Sequence, residues 1–267
     1  MELVQLGVIG GEPVVGHVQE SQLHNSKWIV VVHGLGEYGM LYHGYFSKLS
    51  GNEMFSFLFL DLPGHGESGG KPGDIRRFRD FEDALKLANQ FVQERSQEKH
   101  IVVAHSLGGT VTLSYLFRER PAAIKAAFIL SPWLNLVDEM SRIQAFLIRI
   151  GYFLFPSFVV RRSWNGSEPR EELLGKNKGH DKISFRLYLQ TFWRSQRLRR
   201  VAKRFTLPLH FYHAKFDPLT FSQSTKDFVN KIETPASLSL LDADVHELME
   251  SKFKEQIWED ILELFSK

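Results

Sequence analysis

The chain of 267 residues contains no cysteine. Disulfide bonds and thiolate metal sites are therefore excluded, and nothing indicates an oxidising compartment. The N-terminal residues lack a basic stretch followed by an apolar run, so we expect no signal peptide and a cytoplasmic protein. The most apolar stretch, 143–160, is interrupted by Arg149, Gly151 and Pro156. It falls short of the roughly 20 uninterrupted apolar residues that a membrane-spanning helix needs, so we expect none.

The composition is that of an ordinary globular protein, with 43% hydrophobic and 24% charged residues. The length suits one large domain carrying an insertion. Phenylalanine occurs 22 times, which indicates apolar surface beyond a normal core.

The small net charge of +2 hides an uneven distribution. Between Asp138 and Arg204 there are 15 Lys or Arg and 6 Asp or Glu, a net charge of +9. The remainder has 18 basic and 25 acidic residues, a net charge of −7. The basic segment is expected to face an anionic surface such as a membrane. Alternatively it is a solvated helical face whose cations pair with acidic residues of the body. No nucleic-acid partner is expected.

Apolar runs typical of buried strands alternate with amphipathic segments. This alternation predicts an α/β fold, a mostly parallel sheet covered by helices on both faces. It breaks between residues 135 and 206, which predict a helical insertion into a core formed by 1–134 and 207–267. The predicted strands are Leu3–Ile9, Val14–Val18, Trp28–Val32, Phe55–Leu60, Ile101–Ala104, Ala126–Leu130, Leu209–His213 and Ser237–Leu241. The predicted helices are Met40–Leu49, Ile75–Arg95, Leu107–Arg118, Ser222–Ile232 and Lys252–Phe265.

One strand runs into a helix through a serine, in the segment VVAHSLGG. A serine on such a sharp turn is exposed at the top of the sheet, and its neighbours two positions away must be small. Ala104 replaces the first glycine of the usual G-x-S-x-G pattern, and Gly108 supplies the second. Ser106 is therefore the candidate nucleophile.

A serine nucleophile needs a base, and the base needs a carboxylate to orient it. Asp217 and His246 follow the last two predicted strands, in the chain order Ser, acid, His that this arrangement uses. Asp138, after an earlier strand, is the competing acid. Asp242 and Asp244 are expected to shape the loop of His246.

Donors for a developing oxyanion are expected from the backbone N–H groups of Leu35 and Leu107. Leu107 directly follows the serine, and Leu35 lies between two glycines that give its loop conformational freedom. His33 and His65 are expected to frame the site. His180 and His213 are expected to be structural.

The same loop supports a rival hypothesis. Residues 34–39 spell G-x-G-x-x-G after a strand, and Asp61 ends the next strand, as in a dinucleotide-binding fold. A second copy at 64–69 is followed by Gly70, Pro72 and Gly73, which prevent the required helix. The rival leaves the serine, aspartate and histidine unexplained, so we expect no cofactor and no metal.

The segments HGLGE, DLPGHGES, AHSLGG, HAKFDPLT and DADVHELME resemble the monoacylglycerol lipase and lysophospholipase branch of α/β-hydrolases, the serine aminopeptidase-type family. The resemblance runs from about residue 27 to the C-terminus, and Ala104 is its main departure. It implies the same triad and oxyanion positions, and a helical cap over an acyl pocket.

The expected reaction is hydrolysis of a single-acyl-chain lipid ester. Alternatives on the same fold are a short-chain carboxylesterase and an arylamidase or aminopeptidase. Aromatic residues of the insertion are expected either to line the acyl pocket or to pack the insertion onto the body. These are Phe146, Phe153, Phe155, Phe158, Phe185 and Phe192.

Overall fold

The computed structural model describes residues 1–23, 26–49, 54–137, 142–161 and 179–266. These residues form ten strands and seven α-helices. The strands are β1 (Glu2–Ile9), β2 (Glu12–Gln19), β3 (Lys27–Val32), β4 (Phe55–Leu60), β5 (His100–His105), β6 (Ile124–Leu130), β7 (Val159–Arg161), β8 (Lys182–Ser184), β9 (Leu209–Ala214) and β10 (Ala236–Leu241). The helices are α1 (Gly39–Leu49), α2 (Phe78–Gln93), α3 (Leu107–Glu119), α4 (Arg142–Leu154), α5 (Phe185–Val201), α6 (Ser222–Val229) and α7 (Lys254–Ser266).

Eight strands join in one sheet in the order β1-β2-β4-β3-β5-β6-β9-β10. The pairs β1–β2 and β2–β4 are antiparallel, and every later pair is parallel. The predicted mostly parallel sheet and the predicted N-terminal hairpin are both confirmed. The central strands are apolar along their whole length because helices cover both faces.

Alternate residues of each strand enter two separate cores, as the two-residue period of a strand requires. In β3, Val30 and Val32 pack with α2 and α3, whereas Ile29 and Val31 pack with α1 and α7. Both sets are fully buried. The sheet is therefore held rigid from both sides, which fixes the loops at its carboxyl edge.

Most predicted elements differ from the observed ones by three residues or fewer at each end. The predicted helix from Ile75 begins instead at Phe78, because a capping interaction sets its start. The backbone N–H of Arg77 donates a hydrogen bond to the Asp80 carboxylate, 3.2 Å away. The Asp80 side chain thus satisfies an N–H group at the helix start, as the acidic residue of a capping box does.

The described part of the insertion lies between the neighbouring strands β6 and β9. It contains the helices α4 and α5 and also the short antiparallel ribbon β7–β8. The ribbon was not predicted because three-residue strands give no detectable period. The predicted boundaries of the insertion, 135 and 206, remain predictions.

Helix α5 is attached to the body by buried polar contacts. The Asp74 carboxylate accepts hydrogen bonds from Ser184 Oγ at 2.7 Å and from Arg186 Nε at 3.1 Å. Ser195 Oγ donates to the carbonyl of Trp133 at 2.6 Å. A hydrogen bond that involves a buried charged group is stronger than a neutral one, so these contacts fix α5 against the body.

Helix α4 instead turns an apolar face outward. Its exposed side chains recur at helical spacing, so they form one continuous stripe. The stripe consists of Ile143, Phe146, Leu147, Ile150, Phe153 and Leu154. Four of the insertion's six phenylalanines are more than half exposed and so are not buried against the body: Phe146, Phe153, Phe155 and Phe158. Their expected role in lining an acyl pocket remains a prediction.

None of the helices among the described residues combines the length and the apolar character that crossing a bilayer requires.

Candidate active site

Ser106 occupies a strained turn between β5 and α3. Its backbone has φ 51° and ψ −114°, a conformation that residues other than glycine rarely adopt. The turn is held from both sides, because Ser106 N donates to the Leu130 carbonyl at 2.9 Å and the Ser106 carbonyl accepts from Trp133 N at 3.1 Å. Strain of this kind persists only where surrounding bonds enforce it, and it is concentrated at functional sites.

The two small residues around this turn are not equivalent. A Cβ on Gly108 would lie 2.5 Å from the carbonyl oxygens of Val32 and His33, so no larger residue fits there. Ala104 is buried within β5, and its methyl group belongs to the core that contains Val32 and Leu107. The departure from the usual pattern therefore falls at the position that tolerates a Cβ.

Asp217 and His246 meet at the carboxyl edge of the sheet. His246 Nδ1 lies 2.8 Å from Asp217 Oδ2, and both residues are buried. The other carboxylate oxygen, Oδ1, accepts from the backbone N–H groups of Leu219 at 2.8 Å and Thr220 at 2.9 Å. The carboxylate is thus fixed by backbone donors on one side and orients the imidazole on the other.

The pKa values of this pair follow from that geometry. Burial alone raises the pKa of Asp217, but the charge of His246 and hydrogen bonds from His213 and His246 outweigh burial and hold the pKa well below its usual range. Burial lowers the pKa of His246, although Asp217 partly opposes this effect. A histidine with a lowered pKa is neutral at pH 7, which is the state a general base needs.

Sequence reasoning placed His213 outside the site, yet it contacts the acid. Its Nε2 lies 3.4 Å from Asp217 Oδ2, on β9 four residues before the carboxylate.

The two aspartates close to His246 in sequence lie at the surface. Asp242 is exposed and lies 3.3 Å from Lys215 Nζ, and Asp244 is exposed as well. The competing acid Asp138 lies outside the described residues.

The loop after β3 carries the predicted oxyanion donor. Gly36 has φ +81°, which turns the chain sharply after Leu35. Gly34 serves a different purpose, because a Cβ there would lie 3.1 Å from the Ser106 Cβ. Within the described parts of the chain, no protein atom accepts a hydrogen bond from the N–H of Leu35 or Leu107.

Two carboxylates disfavour the dinucleotide hypothesis. Glu37 Oε2 accepts from Gly34 N at 2.7 Å, so a negative charge occupies the loop where a pyrophosphate would bind. Asp61 is fully buried and accepts from Gly39 N at 2.6 Å and Glu67 N at 2.8 Å. Its carboxylate is therefore committed to holding loops together and does not reach a ribose.

Three histidine rings pack against one another where the insertion meets this loop. The ring of His65 lies 5.1 Å from that of His33 and 4.6 Å from that of His180. His180 N donates to the Gly36 carbonyl at 2.8 Å. His180, expected only to be structural, is thus the point at which the insertion contacts the loop of Leu35.

His105, the residue before the serine, was missed by sequence reasoning. Its Nδ1 lies 3.3 Å from Glu37 Oε2 and 3.4 Å from Glu247 Oε2, and its Nε2 lies 3.3 Å from the His246 carbonyl. Among the described residues, His105, His246 and Glu247 are also the three groups whose metal-ligating atoms come within 4.8 Å of one another. They are hydrogen-bonded within the site, so we assign no metal to them.

The family is shown by a match to the model described as "Serine aminopeptidase, S33", Hydrolase_4, over residues 24–252. The chain belongs to this family. An uncharacterized abhydrolase domain-containing protein of Dictyostelium discoideum is 24% identical over 244 residues, 88% of this chain. A monoacylglycerol lipase of Mycolicibacterium smegmatis is 23% identical over 95% of this chain and 92% of its own length. Lysophospholipase L2 of Escherichia coli is 30% identical over 43% of this chain.

The chain spans only 26% of the Dictyostelium protein and 32% of the E. coli one. Among solved structures, the monoacylglycerol lipase of Paleococcus ferrophilus superposes with a TM-score of 0.79 at 22% identity, covering 95% of this chain and 98% of that one. A soluble variant of Saccharomyces cerevisiae monoglyceride lipase, in complex with a substrate analog, gives 0.79 at 16% identity, covering 99% and 95%. The fold is that of the α/β-hydrolases, and the chain is placed among their serine hydrolases.

Gly36→Ala is expected to reduce hydrolysis of a p-nitrophenyl ester by about 100-fold, the usual cost of losing one oxyanion donor. The new Cβ would lie 1.9 Å from the His180 carbonyl oxygen, and the positive φ would be strained as well. The loop of Leu35 must therefore shift.

The matched control is Gly44→Ala in α1, where nothing lies within 4 Å of the new Cβ. It should keep full activity and raise stability by about 0.5–1 kcal/mol, as alanine does in a helix. Full activity in Gly36→Ala would show that this loop supplies no oxyanion donor.

Proposed function

We propose that the protein hydrolyses carboxylic esters through an acyl-enzyme formed on Ser106. The observation that carries the proposal is the buried Asp217–His246 hydrogen bond, whose imidazole packs 4.7 Å from the ring of His105, the residue before the strained turn of Ser106. With Nδ1–H donated to Asp217, the Nε2 of His246 is left to accept the serine proton. Attack on the ester carbonyl then forms a tetrahedral intermediate.

The N–H groups of Leu35 and Leu107 stabilise the oxyanion of that intermediate. His246 returns the proton to the leaving alcohol, and a water molecule, activated by the same histidine, hydrolyses the acyl-enzyme. Asp217 stays ionised throughout and stabilises the imidazolium, consistent with its lowered pKa. The cycle requires no cofactor.

Ser106→Ala is expected to fold normally and to lose about 10⁶-fold in kcat, as a serine protease does when its nucleophile is removed. A fluorophosphonate probe should label the wild type at Ser106 and leave the variant unlabelled.

Asp217→Asn should be severely impaired in catalysis yet still slowly labelled by the probe, because the nucleophile remains. Asp138→Asn is the control and should be nearly fully active. Reversed behaviour of the two aspartate variants would move the acid to Asp138.

The proposed substrate is a lipid ester with a single acyl chain, a monoacylglycerol or a lysophospholipid. Support comes from the relatives named monoacylglycerol lipase and lysophospholipase, and from the exposed apolar stripe of α4. A short-chain carboxylesterase has no use for such a stripe. An aminopeptidase, the activity named in the family description, would have to recognise the amino group of its substrate.

Chain length separates these alternatives. Against p-nitrophenyl esters from acetate to palmitate, a monoacylglycerol and an aminoacyl anilide, kcat/KM should be highest for the longer esters and the monoacylglycerol. Each buried methylene adds up to about 0.8 kcal/mol to transition-state binding. A maximum at acetate would support the short-chain esterase, and preference for the anilide would support the aminopeptidase.

We also propose that the insertion makes reversible contact with anionic lipid surfaces. Helix α4 packs on α5 through Tyr152, whose ring lies 5.3 Å from the ring of the exposed Trp193. Arg197 and Arg200 follow Trp193 at helical spacing on α5, so they share its face of that helix, and Arg204 lies in the short 3-10 turn that follows. Apolar side chains beside clustered cations are typical of segments that rest on anionic membranes.

The competing expectation was that these cations pair with acidic residues of the body. Lys203 does lie 3.3 Å from Glu233 Oε1, although both side chains are exposed. Among the described residues, no carboxylate oxygen lies within 4.0 Å of the four arginines of this group. They are Arg197, Arg199, Arg200 and Arg204. This distribution favours contact with an external anion over pairing with the body.

Wild-type protein is expected to float with phosphatidylglycerol vesicles at low salt and to be released at about 0.5 M salt. It should not bind neutral vesicles. Each cation near the surface contributes about 1 kcal/mol at most, and salt screens it. Arg197→Gln with Arg200→Gln should weaken flotation, as should Phe146→Ser with Phe153→Ser. Lys226→Gln with Lys231→Gln, on the body, is the matched control. Equal flotation of all variants would place the contact elsewhere.

A further inference from the structure

We propose that His105 is a positively charged positioning residue, which clamps the oxyanion loop and the loop of the catalytic base onto the strand that carries the nucleophile. The inference rests on the proposed function. It concerns a residue that does not touch the reacting atoms and acts only through its neighbours.

The clamp joins three segments that are far apart in sequence. His105 ends β5 directly before Ser106, Glu37 belongs to the loop of Leu35, and Glu247 follows His246. The Nδ1 of His105 faces both carboxylates, at 3.3 and 3.4 Å. Its Nε2 faces the His246 carbonyl oxygen at 3.3 Å, and a carbonyl only accepts hydrogen bonds. Both ring nitrogens therefore donate, which requires the doubly protonated, cationic ring.

Each partner also holds something that the reaction needs. Glu37 Oε2 accepts from Gly34 N at 2.7 Å and from Tyr42 Oη at 2.8 Å, which fixes the start of the oxyanion loop. The His105 ring packs 4.7 Å from the His246 ring, and its bond to the His246 carbonyl holds the backbone of the base. Loss of His105 would thus free both loops at once.

A second buried histidine on the same strand provides an internal comparison. His100 begins β5, and neither of its ring nitrogens has a hydrogen-bond partner in the described structure. Burial lowers its pKa to about 4. Burial also lowers the pKa of His105, but the charges of Glu247 and Glu37 outweigh it and raise the pKa to about 9. The two carboxylates therefore determine the charge of His105.

A cation beside the base affects the base electrostatically. The titratable groups that face His105 are Glu37, Glu247, His246, Tyr42 and, at longer range, His33. The positive charge of His105 lowers the pKa of His246, whereas the negative charge of Glu37 raises it. The clamp thus presents charges of both signs to the base, and removing one member should shift the pH profile in a direction set by the charge removed.

His105→Gln is expected to lower kcat for a p-nitrophenyl ester by about 10–100-fold, with KM changed less than about threefold, because positioning is lost and ground-state binding is not. Two uncompensated carboxylates then face His246 and raise its pKa. Activity on acidification should therefore be lost at a pH about one unit higher than in the wild type. Glu247→Gln removes a negative charge, so its acid limb should move to lower pH.

His100→Gln is the matched control, since it replaces a buried histidine of the same strand outside the site. It should leave both kcat and the pH profile unchanged. A measurement on the unaltered protein covers the case in which His105→Gln fails to fold: ¹⁵N NMR should show both ring nitrogens of His105 protonated from pH 6 to 8.

The clamp is refuted if His105 titrates below pH 6, or if His105→Gln keeps the wild-type kcat and acid limb. Shifts in the same direction for His105→Gln and Glu247→Gln would refute it as well. These results do not test the proposed reaction, which is contradicted separately if Ser106→Ala remains active.

Discussion

The strained turn at Ser106 is the constraint on which the rest of the site depends. A non-glycine residue at φ 51° costs of order 1–3 kcal/mol and must be enforced by its surroundings. The enforcement comes from the sheet, through the bond from Ser106 N to the Leu130 carbonyl of β6 and the close approach of Gly108 to β3. The two cores that cover the sheet keep those strands in place. The packing of the two cores thus stabilises the strained turn and fixes the position of the Ser106 hydroxyl group.

Much of this arrangement could be predicted from the sequence, because it depends on local pattern. Apolar runs fixed the strands to within a few residues, and the small residues around Ser106 marked the turn. Chain order alone brought Asp217 and His246 to the same edge, where the structure shows them 2.8 Å apart. Parallel strands end at one edge, so residues after such strands must meet.

What could not be predicted depends on contacts between distant segments. The clamp of His105 joins residues 37, 105 and 247, and no periodicity or spacing indicates that three loops converge on one ring. The role of His213 was missed for the same reason. The exposure of the phenylalanines of α4 could not be predicted either. An amphipathic pattern indicates which side chains share a helix face, but it does not indicate whether that face meets protein or another medium.

The insertion combines two opposite requirements in adjacent helices. Helix α5 is anchored through charged groups that are buried and bonded, as Asp74 and Arg186 are, and such contacts are costly to break. Helix α4 rests on α5 and exposes apolar side chains, a state that water disfavours. Because the His180 N–H donates to the Gly36 carbonyl, the segment that leads into α5 also holds the loop of Leu35 in place.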